Sequence, residues 1–156
     1  ADMDHHTALF DLLGDLARRR YQLAERYFSK IGLNHTEARL LTLLSQEGGT
    51  ATQDRLSGLL FVDRSNAGRA LKRLERDRYV IRKKDDSDKR TNLVEIDARG
   101  RDAIGEISKL KTEIVKNFLG NLSDQNAATI VNMLEKATRD DNPEAGSKTW
   151  HRYGGC

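Results

Sequence analysis

The chain of 156 residues is long enough for one domain, and its composition of 33% charged and 37% hydrophobic residues is typical of amphipathic helices. It contains no run of 18 apolar residues that would predict a membrane span, and its N-terminus lacks the pattern of a secretory signal. The single Cys156 cannot form an internal disulfide, so we expect a cytoplasmic protein.

Basic residues concentrate in one segment of the chain. Between Arg64 and Arg90, eleven basic residues stand against five acidic ones, a net charge of +6, whereas the remaining 16 basic and 19 acidic residues give −3. A basic block on an otherwise acidic chain indicates a polyanionic partner. A solvated charged face explains the charge alone equally well.

The N-terminal part has the period of an α-helix. Apolar residues recur at helical spacing from Thr7 to Ser29, and this first stripe is longer than one small neighbouring helix would cover. Gly32 suits a helix C-cap, and Asn34 with Glu37 has the spacing of a capping box. These signals predict a second helix over residues 36–46.

A short extended step is expected at residues 50–53, before a third helix that runs to Leu60. Thr50 and Thr52 are alternative N-caps of that helix. Phe61 and Val62 are expected to pack, and Asp63 to cap the next helix.

The fourth helix, predicted from Arg64 to Asp77, is strongly amphipathic. Ala67, Ala70, Leu71 and Leu74 form the stripe that should face the core. The opposite face has the polar residues Ser65, Asn66, Arg69, Lys72, Arg73 and Arg76. Gly68 lowers helix propensity, which indicates close packing against either the preceding helix or a phosphate backbone.

The period then changes to about two. Residues 79–84 and 91–96 are predicted strands, with Leu93 alternating with Glu95 and Val94 with Ile96. Six polar residues, 85–90, connect them, so we expect a β-hairpin with a charged tip.

Two more helices are predicted, one over Ala98–Leu122 and one over Asp124–Thr138. The last should bury Ala127, Ile130, Val131, Leu134 and Ala137. Beyond Arg139 the period is lost, so a flexible tail is expected there. The division is then a helical dimerisation region (1–30 and 98–138), a winged helix-turn-helix (31–97) and a flexible tail (139–156).

This order predicts a mainly α fold with a small β-hairpin wing, flanked by long helices. A helix fits the major groove of duplex DNA, where arginine pairs with guanine and asparagine with adenine. We therefore expect Ser65, Asn66 and Arg69 to reach base edges. Lys72, Arg73 and Arg76 lie further along the helix, where they are better placed for phosphates. Arg64, at the start of the same helix, is included in the predicted interface.

Residues 63–80, the hairpin block 85–90 and residues 96–100 resemble the multiple-antibiotic-resistance (MarR) family of bacterial transcriptional regulators. The wing pattern of that family is roughly Asp-x-Arg-Asp-x-Arg, which places Asp85 first, Asp88 fourth and Arg90 sixth. Ser87 stands where the family has arginine, and Lys84 or Lys89 is the candidate substitute. The resemblance implies that Asp88 and Arg90 shape the wing through a charge pair, and that Arg90 contacts the DNA backbone.

The resemblance also implies a homodimer whose first, penultimate and last helices interlock, usually acting as a repressor on a pseudo-palindromic operator. It implies a small phenolic or anionic effector between the dimerisation and DNA-binding parts. Arg18, Arg19 and Arg20 are candidate effector ligands, and phosphate contacts or interhelical ion pairs are the alternatives for each.

Other classes of protein were weighed against this hypothesis. A non-specific architectural DNA-binding protein and a winged adaptor that binds protein remain alternatives, and salt dependence separates the adaptor from both DNA binders. His35 and Glu37 match a fragment of the zinc deaminase motif whose cysteines are missing, so His35 is expected to be an exposed residue at a helix start. We expect no enzyme activity, metal or cofactor.

Overall fold

The computed structural model describes residues 2–60 and 64–139. Its elements are, in chain order, α1 (Asp4–Phe28), a 3-10 turn (Ser29–Ile31), α2 (His35–Gln46), β1 (Thr50–Thr52), α3 (Gln53–Leu60), α4 (Arg64–Arg76), β2 (Val80–Lys84), β3 (Asn92–Ile96), α5 (Ala98–Leu119) and α6 (Asp124–Ala137). The predicted fold class, mainly α with a small β-hairpin wing, is confirmed. The packing and capping expected of Phe61, Val62 and Asp63, and the tail from residue 140, lie outside the described residues.

The junction between α1 and α2 follows the predicted local signals. Gly32 has φ = 76°, a left-handed conformation that costs glycine little, and it ends the 3-10 turn. The Asn34 side chain accepts the backbone N–H of Glu37, and the Glu37 carboxylate accepts the backbone N–H of Asn34. This is the predicted capping box, and it starts α2 one residue earlier than expected.

The three strands form an antiparallel sheet in the order β1-β3-β2. In the hairpin, Val80 pairs with Ile96 and Lys84 with Asn92, while Ala51 of β1 pairs with Val94 on the other side of β3. Val80, Val94 and Ile96 are buried, so the predicted alternation along the strands is confirmed.

The core lies between α2, α3, α4, the sheet and the facing halves of α1 and α5. Its most completely buried large side chains are Phe28, Leu40, Leu41, Leu44, Leu56, Leu71, Leu74, Val94 and Ile107. Gly100 lets α5 approach the turn after α4, because a Cβ at this position would overlap the carbonyl oxygen of Tyr79. The core therefore fixes α4 and the wing relative to each other.

Two expectations were wrong for the single chain. α6 has no buried residue within the described chain, and Ile130 and Val131 are exposed, because the core ends before this helix and provides no surface for its apolar stripe. His35 is buried and not exposed, because the first turn of α2 packs onto α1 against Tyr21 and Phe28.

Candidate nucleic-acid interface

The fourth helix places its polar face outward. Ala67, Ala70, Leu71 and Leu74 are all buried, as the stripe predicted. The predicted DNA-contacting residues Ser65, Asn66, Arg69, Lys72 and Arg76 are all exposed. The side chain of Arg64 is outside the described part of the structure. α4 therefore presents one continuous polar and basic surface next to the hairpin.

Asn66 and Arg69 lie one turn apart and act as a pair. The Arg69 guanidinium donates a hydrogen bond to the Asn66 side-chain oxygen. The Arg69 guanidinium has donors, and the Asn66 amide has a donor and an acceptor, that can recognise base edges in the major groove. Their mutual hydrogen bond therefore orders the two side chains that sequence reasoning assigned to base contacts.

Gly68 lies opposite the start of the preceding helix. A Cβ at Gly68 would come within 3.3 Å of Nε2 of Gln53, the first residue of α3. Of the two explanations for this glycine, close packing against the preceding helix is therefore the one with a contact in the structure. The absence of a side chain at Gly68 leaves room for the Gln53 side chain beside α4.

The C-terminal end of α4 is fixed by a charged pair. Nε of Arg76 donates to Oδ1 of Asp77 at 3.2 Å, and this hydrogen bond raises the pKa of Arg76 and lowers the pKa of Asp77. Arg99 donates to the Asp77 backbone oxygen and lies over the Tyr79 ring, 4.4 Å from its centroid. Arg76 remains exposed for a phosphate contact.

The wing tip is organised by two aspartates. Oδ1 of Asp85 accepts both the backbone N–H and the hydroxyl of Ser87, and these bonds lower the pKa of Asp85. Oδ1 of Asp88 accepts the backbone N–H of Arg90 and lies 3.6 Å from its Nε. The charge pair implied by the resemblance is therefore present, and the Arg90 side chain is 96% exposed.

The base of the wing includes a lysine and an arginine with different surroundings. Nζ of Lys84 donates to the Asn92 side chain across the hairpin at 2.9 Å. Arg82 donates from its guanidinium to Oε1 of Glu75 and to Oε1 of Gln53. Sequence reasoning missed the Arg82 contact with Glu75, which links the wing to α4. The period of two, which puts Arg82 on the same face of β2 as the buried Val80, was a signal that could have pointed to it.

Comparison with known proteins shows which family this winged part is similar to. Residues 31–91 match the model of the MarR family. The HTH-type transcriptional regulator YdgJ of Bacillus subtilis (strain 168) is 28% identical over 111 residues, which is 71% of this chain and 67% of the relative. The winged part of this chain is therefore similar to the MarR family over residues 31–91, which are 61 of its 156 residues.

Solved MarR-family structures have the same fold. A mutant of MarR from E. coli complexed with operator DNA gives a TM-score of 0.76 at 22% identity, over 87% of this chain and 97% of that chain. BpsR of Bordetella bronchiseptica, from a study of how 6-hydroxynicotinic acid regulates its DNA binding, gives 0.74 at 20% identity, over 84% and 93%. The likeness covers the flanking helices as well as the winged part.

The wing of this chain departs from the MarR-family pattern at Ser87. Instead of a basic side chain, Ser87 contributes a hydroxyl that turns back to Asp85. Lys89 and Lys84, the two candidate substitutes, are both exposed, but the Lys84 ammonium is already bonded to Asn92. Lys89, at the tip, is the better placed of the two.

The three arginines considered as effector ligands have separate environments. Arg18 forms an ion pair with Asp15 on the surface of α1. Arg19 lies over the Phe118 ring and lines a cleft of about 270 Å³ with Gln22, Leu23, Arg26 and Asn117. Burial lowers the pKa of His35, and the nearby charge of Arg20 lowers it further. The structure therefore does not bring the three side chains into one site.

Within residues 2–60 and 64–139, no helix has the length and apolar composition needed to cross a membrane. No group of three or more His, Cys, Asp or Glu side chains within residues 2–60 and 64–139 is arranged to hold a metal ion.

Proposed function

We propose that this chain is a MarR-family protein, a homodimeric, sequence-specific regulator that binds duplex DNA and represses transcription in the bacterial cytoplasm. The observation that supports it most is the exposed polar face of α4, with Asn66 and Arg69 ordered side by side and the charged wing next to them. Asparagine and arginine supply base-specific hydrogen bonds, and the surrounding lysine and arginine side chains supply phosphate contacts.

The dimer is supported by apolar surface at the ends of the chain. Phe10 and Met133 are 77% and 63% exposed. They belong to a set on α1, α5, α6 and the turn between α5 and α6 that also includes Leu9, Leu12, Leu13, Val115, Leu119, Leu122, Ile130 and Val131. Water-exposed apolar area of this extent is typical of an interface. A second copy related by a two-fold axis would cover it and would place two α4 helices in successive major grooves, about 34–36 Å apart.

Occupation of the operator by the dimer is the physical basis of the proposed repression. A dimer that occupies two successive major grooves on one face of the operator excludes other proteins from the same base pairs. A two-fold symmetric protein requires a pseudo-palindromic site, because each half-site meets the same α4 surface.

An anionic effector would regulate this binding by favouring one spacing of the two DNA-binding parts over the other. The cleft beside Arg19 is the candidate site, since Arg26 adds a second positive charge and Phe118 an aromatic ring to its lining. The Bordetella relative, whose DNA binding is regulated by 6-hydroxynicotinic acid, motivates an aromatic carboxylate.

Titration of the full chain tests this function. The protein selects duplexes from a random pool, and its affinity is then measured for the selected duplex and for a scrambled one at the same salt concentration. We expect at least a thousandfold preference for the selected duplex. Equal affinity for both would instead identify an architectural protein, and adding 6-hydroxynicotinic acid to the bound complex tests whether an aromatic carboxylate releases the DNA.

A further inference from the structure

One basic residue on the polar face of α4 is less exposed than Arg76 and lies beside an acidic residue of α2. The Arg73 side chain is 39% exposed, compared with 70% for Arg76 three residues later. Nε of Arg73 lies 3.8 Å from Oε2 of Glu37, whose side chain is only 8% exposed. Arg73 therefore faces the first turn of α2 and not the surface where a phosphate would lie.

The two carboxylate oxygens of Glu37 have different partners, one at the start of α2 and one on α4. Oε1 accepts the backbone N–H of Asn34 at 3.0 Å and closes the capping box, while Oε2 faces Arg73. A buried carboxylate is costly unless it is paired, and removing one partner of such a pair leaves the other charge uncompensated. Moving Arg73 outward to a phosphate would leave Glu37 in that state.

The opposite side of α4 is held by a second acidic residue. Oε1 of Glu75 accepts hydrogen bonds from Arg82 of β2, which also donates to Gln53 of α3. The recognition helix is thus tied to α2 through Arg73 and to the wing through Glu75. These two ties add to the packing of the buried α4 stripe, which holds the helix on the core.

We propose that Glu37 and Arg73 form a positioning pair that sets the orientation of α4 against DNA, and that Arg73 is not a phosphate contact. This inference rests on the proposed DNA-binding function. It replaces the role that the position of Arg73 on the helix face predicted from the sequence.

The number of phosphate contacts separates the two roles, because the slope of log affinity against log salt changes by about 0.9 for each phosphate neutralised on B-DNA. The variants are Arg73→Gln, Glu37→Gln and the double variant, with Lys72→Gln, a loss of one exposed positive charge on the same helix, as the matched control. Each full-length protein is titrated with the selected duplex and with scrambled DNA over a range of salt concentrations.

Lys72→Gln should reduce the slope by about 0.9 and weaken both duplexes equally. Arg73→Gln should leave the slope unchanged and reduce the preference for the selected duplex by about tenfold, the size of effect expected for coupled neighbours. Glu37→Gln should reduce the preference similarly, although losing a negative charge favours binding to DNA in general. The double variant should be no worse than either single one.

A slope reduced by about 0.9 in Arg73→Gln, with equal losses on both duplexes, would overturn the proposal, as would an unchanged preference in Glu37→Gln. If Glu37→Gln does not fold, Arg73→Gln decides through its slope. If the wild type itself shows no preference between duplexes, the proposed function has failed. The pair is then judged by thermal unfolding of wild type, Arg73→Gln, Glu37→Gln and the double variant, where additive changes in Tm would contradict it and coupled changes would support it.

Discussion

The ring of Tyr21 meets the ring of His35 edge to face, with the two centroids 5.5 Å apart. Phe28 is stacked with the same imidazole, with the ring centroids 6.4 Å apart, and Nδ1 of His35 has no hydrogen-bond partner among the described residues. Burial, together with the charges of Arg20 and Arg39, lowers the pKa of His35 from 6.5 to about 4. The neutral imidazole is thus part of the α1–α2 contact.

Stability should fall as the pH falls from 6.5 towards 4. In this window the unfolded chain binds a proton at His35 and the folded chain does not, so protonation favours unfolding by up to about 3 kcal/mol. Above pH 6.5 the residue is neutral in both states and contributes no pH dependence. Urea unfolding at pH 7.5 and 4.5 measures the difference, and His35→Gln should remove this part of it.

His5→Gln is the matched control, because His5 lies exposed near the start of α1. It should keep the pH dependence of the wild type. The same loss of stability between the two pH values in wild type and His35→Gln would show that other groups cause it.

Base readout and phosphate contact should separate between Arg69 and Lys72. Arg69→Ala is expected to cost about 1–3 kcal/mol on the selected duplex and to relax the preferred sequence, because the guanidinium pairs with one base. Lys72→Ala should weaken all duplexes about equally and reduce the salt slope by about 0.9. Titrations at several salt concentrations distinguish them; equal losses on operator and random DNA in both variants would refute this division of roles.

The wing should depend on Asp88 although its charge opposes DNA. Asp88→Asn weakens the ion pair with Arg90 and changes the acceptor for the Arg90 backbone and the Thr91 hydroxyl, so we expect lower affinity for the selected duplex. Asp86→Asn, an equal charge change at an exposed neighbouring position, should leave affinity unchanged or slightly raise it. Improved binding by both variants would mean that Asp88 does not shape the wing.

The dimer should depend on the apolar stripe of α6. Ile130→Glu is expected to convert the dimer into a monomer, because a charged side chain is costly in an apolar interface. Asn132→Glu introduces the same charge on another side of the helix and should stay dimeric. Light scattering after size-exclusion chromatography reports the mass; a wild-type monomer, or an unaffected Ile130→Glu dimer, would count against this interface.

Features that depend on near neighbours in the sequence were predictable. The capping box of Asn34 and Glu37 follows from three-residue spacing, and the buried stripe of α4 follows from the helical period. The wing pair of Asp88 and Arg90 was implied by the family resemblance and involves residues two positions apart.

Features that depend on distant parts of the chain were not predictable. The burial of His35 needs the face of α1 that contains Tyr21, and the direction of Arg73 needs Glu37 from another helix. The position of Arg73 on a polar helix face predicted a phosphate contact. The helical period shows which face a residue lies on, but it could not show that Glu37 of α2 lies beside Arg73. The exposed stripe of α6 likewise cannot be assigned a partner from one chain.

The measurement that most directly tests the central claim is crosslinking to DNA from the α4 surface. In a Cys156→Ser background, a photoreactive group is attached at Asn66→Cys or, as the control, at exposed Ser108→Cys of α5. Crosslinks from position 66 at two places about one helical turn apart, with none from position 108, are the predicted result. Crosslinks from position 108 with none from position 66 would contradict the claim that α4 and the wing form the DNA-binding surface.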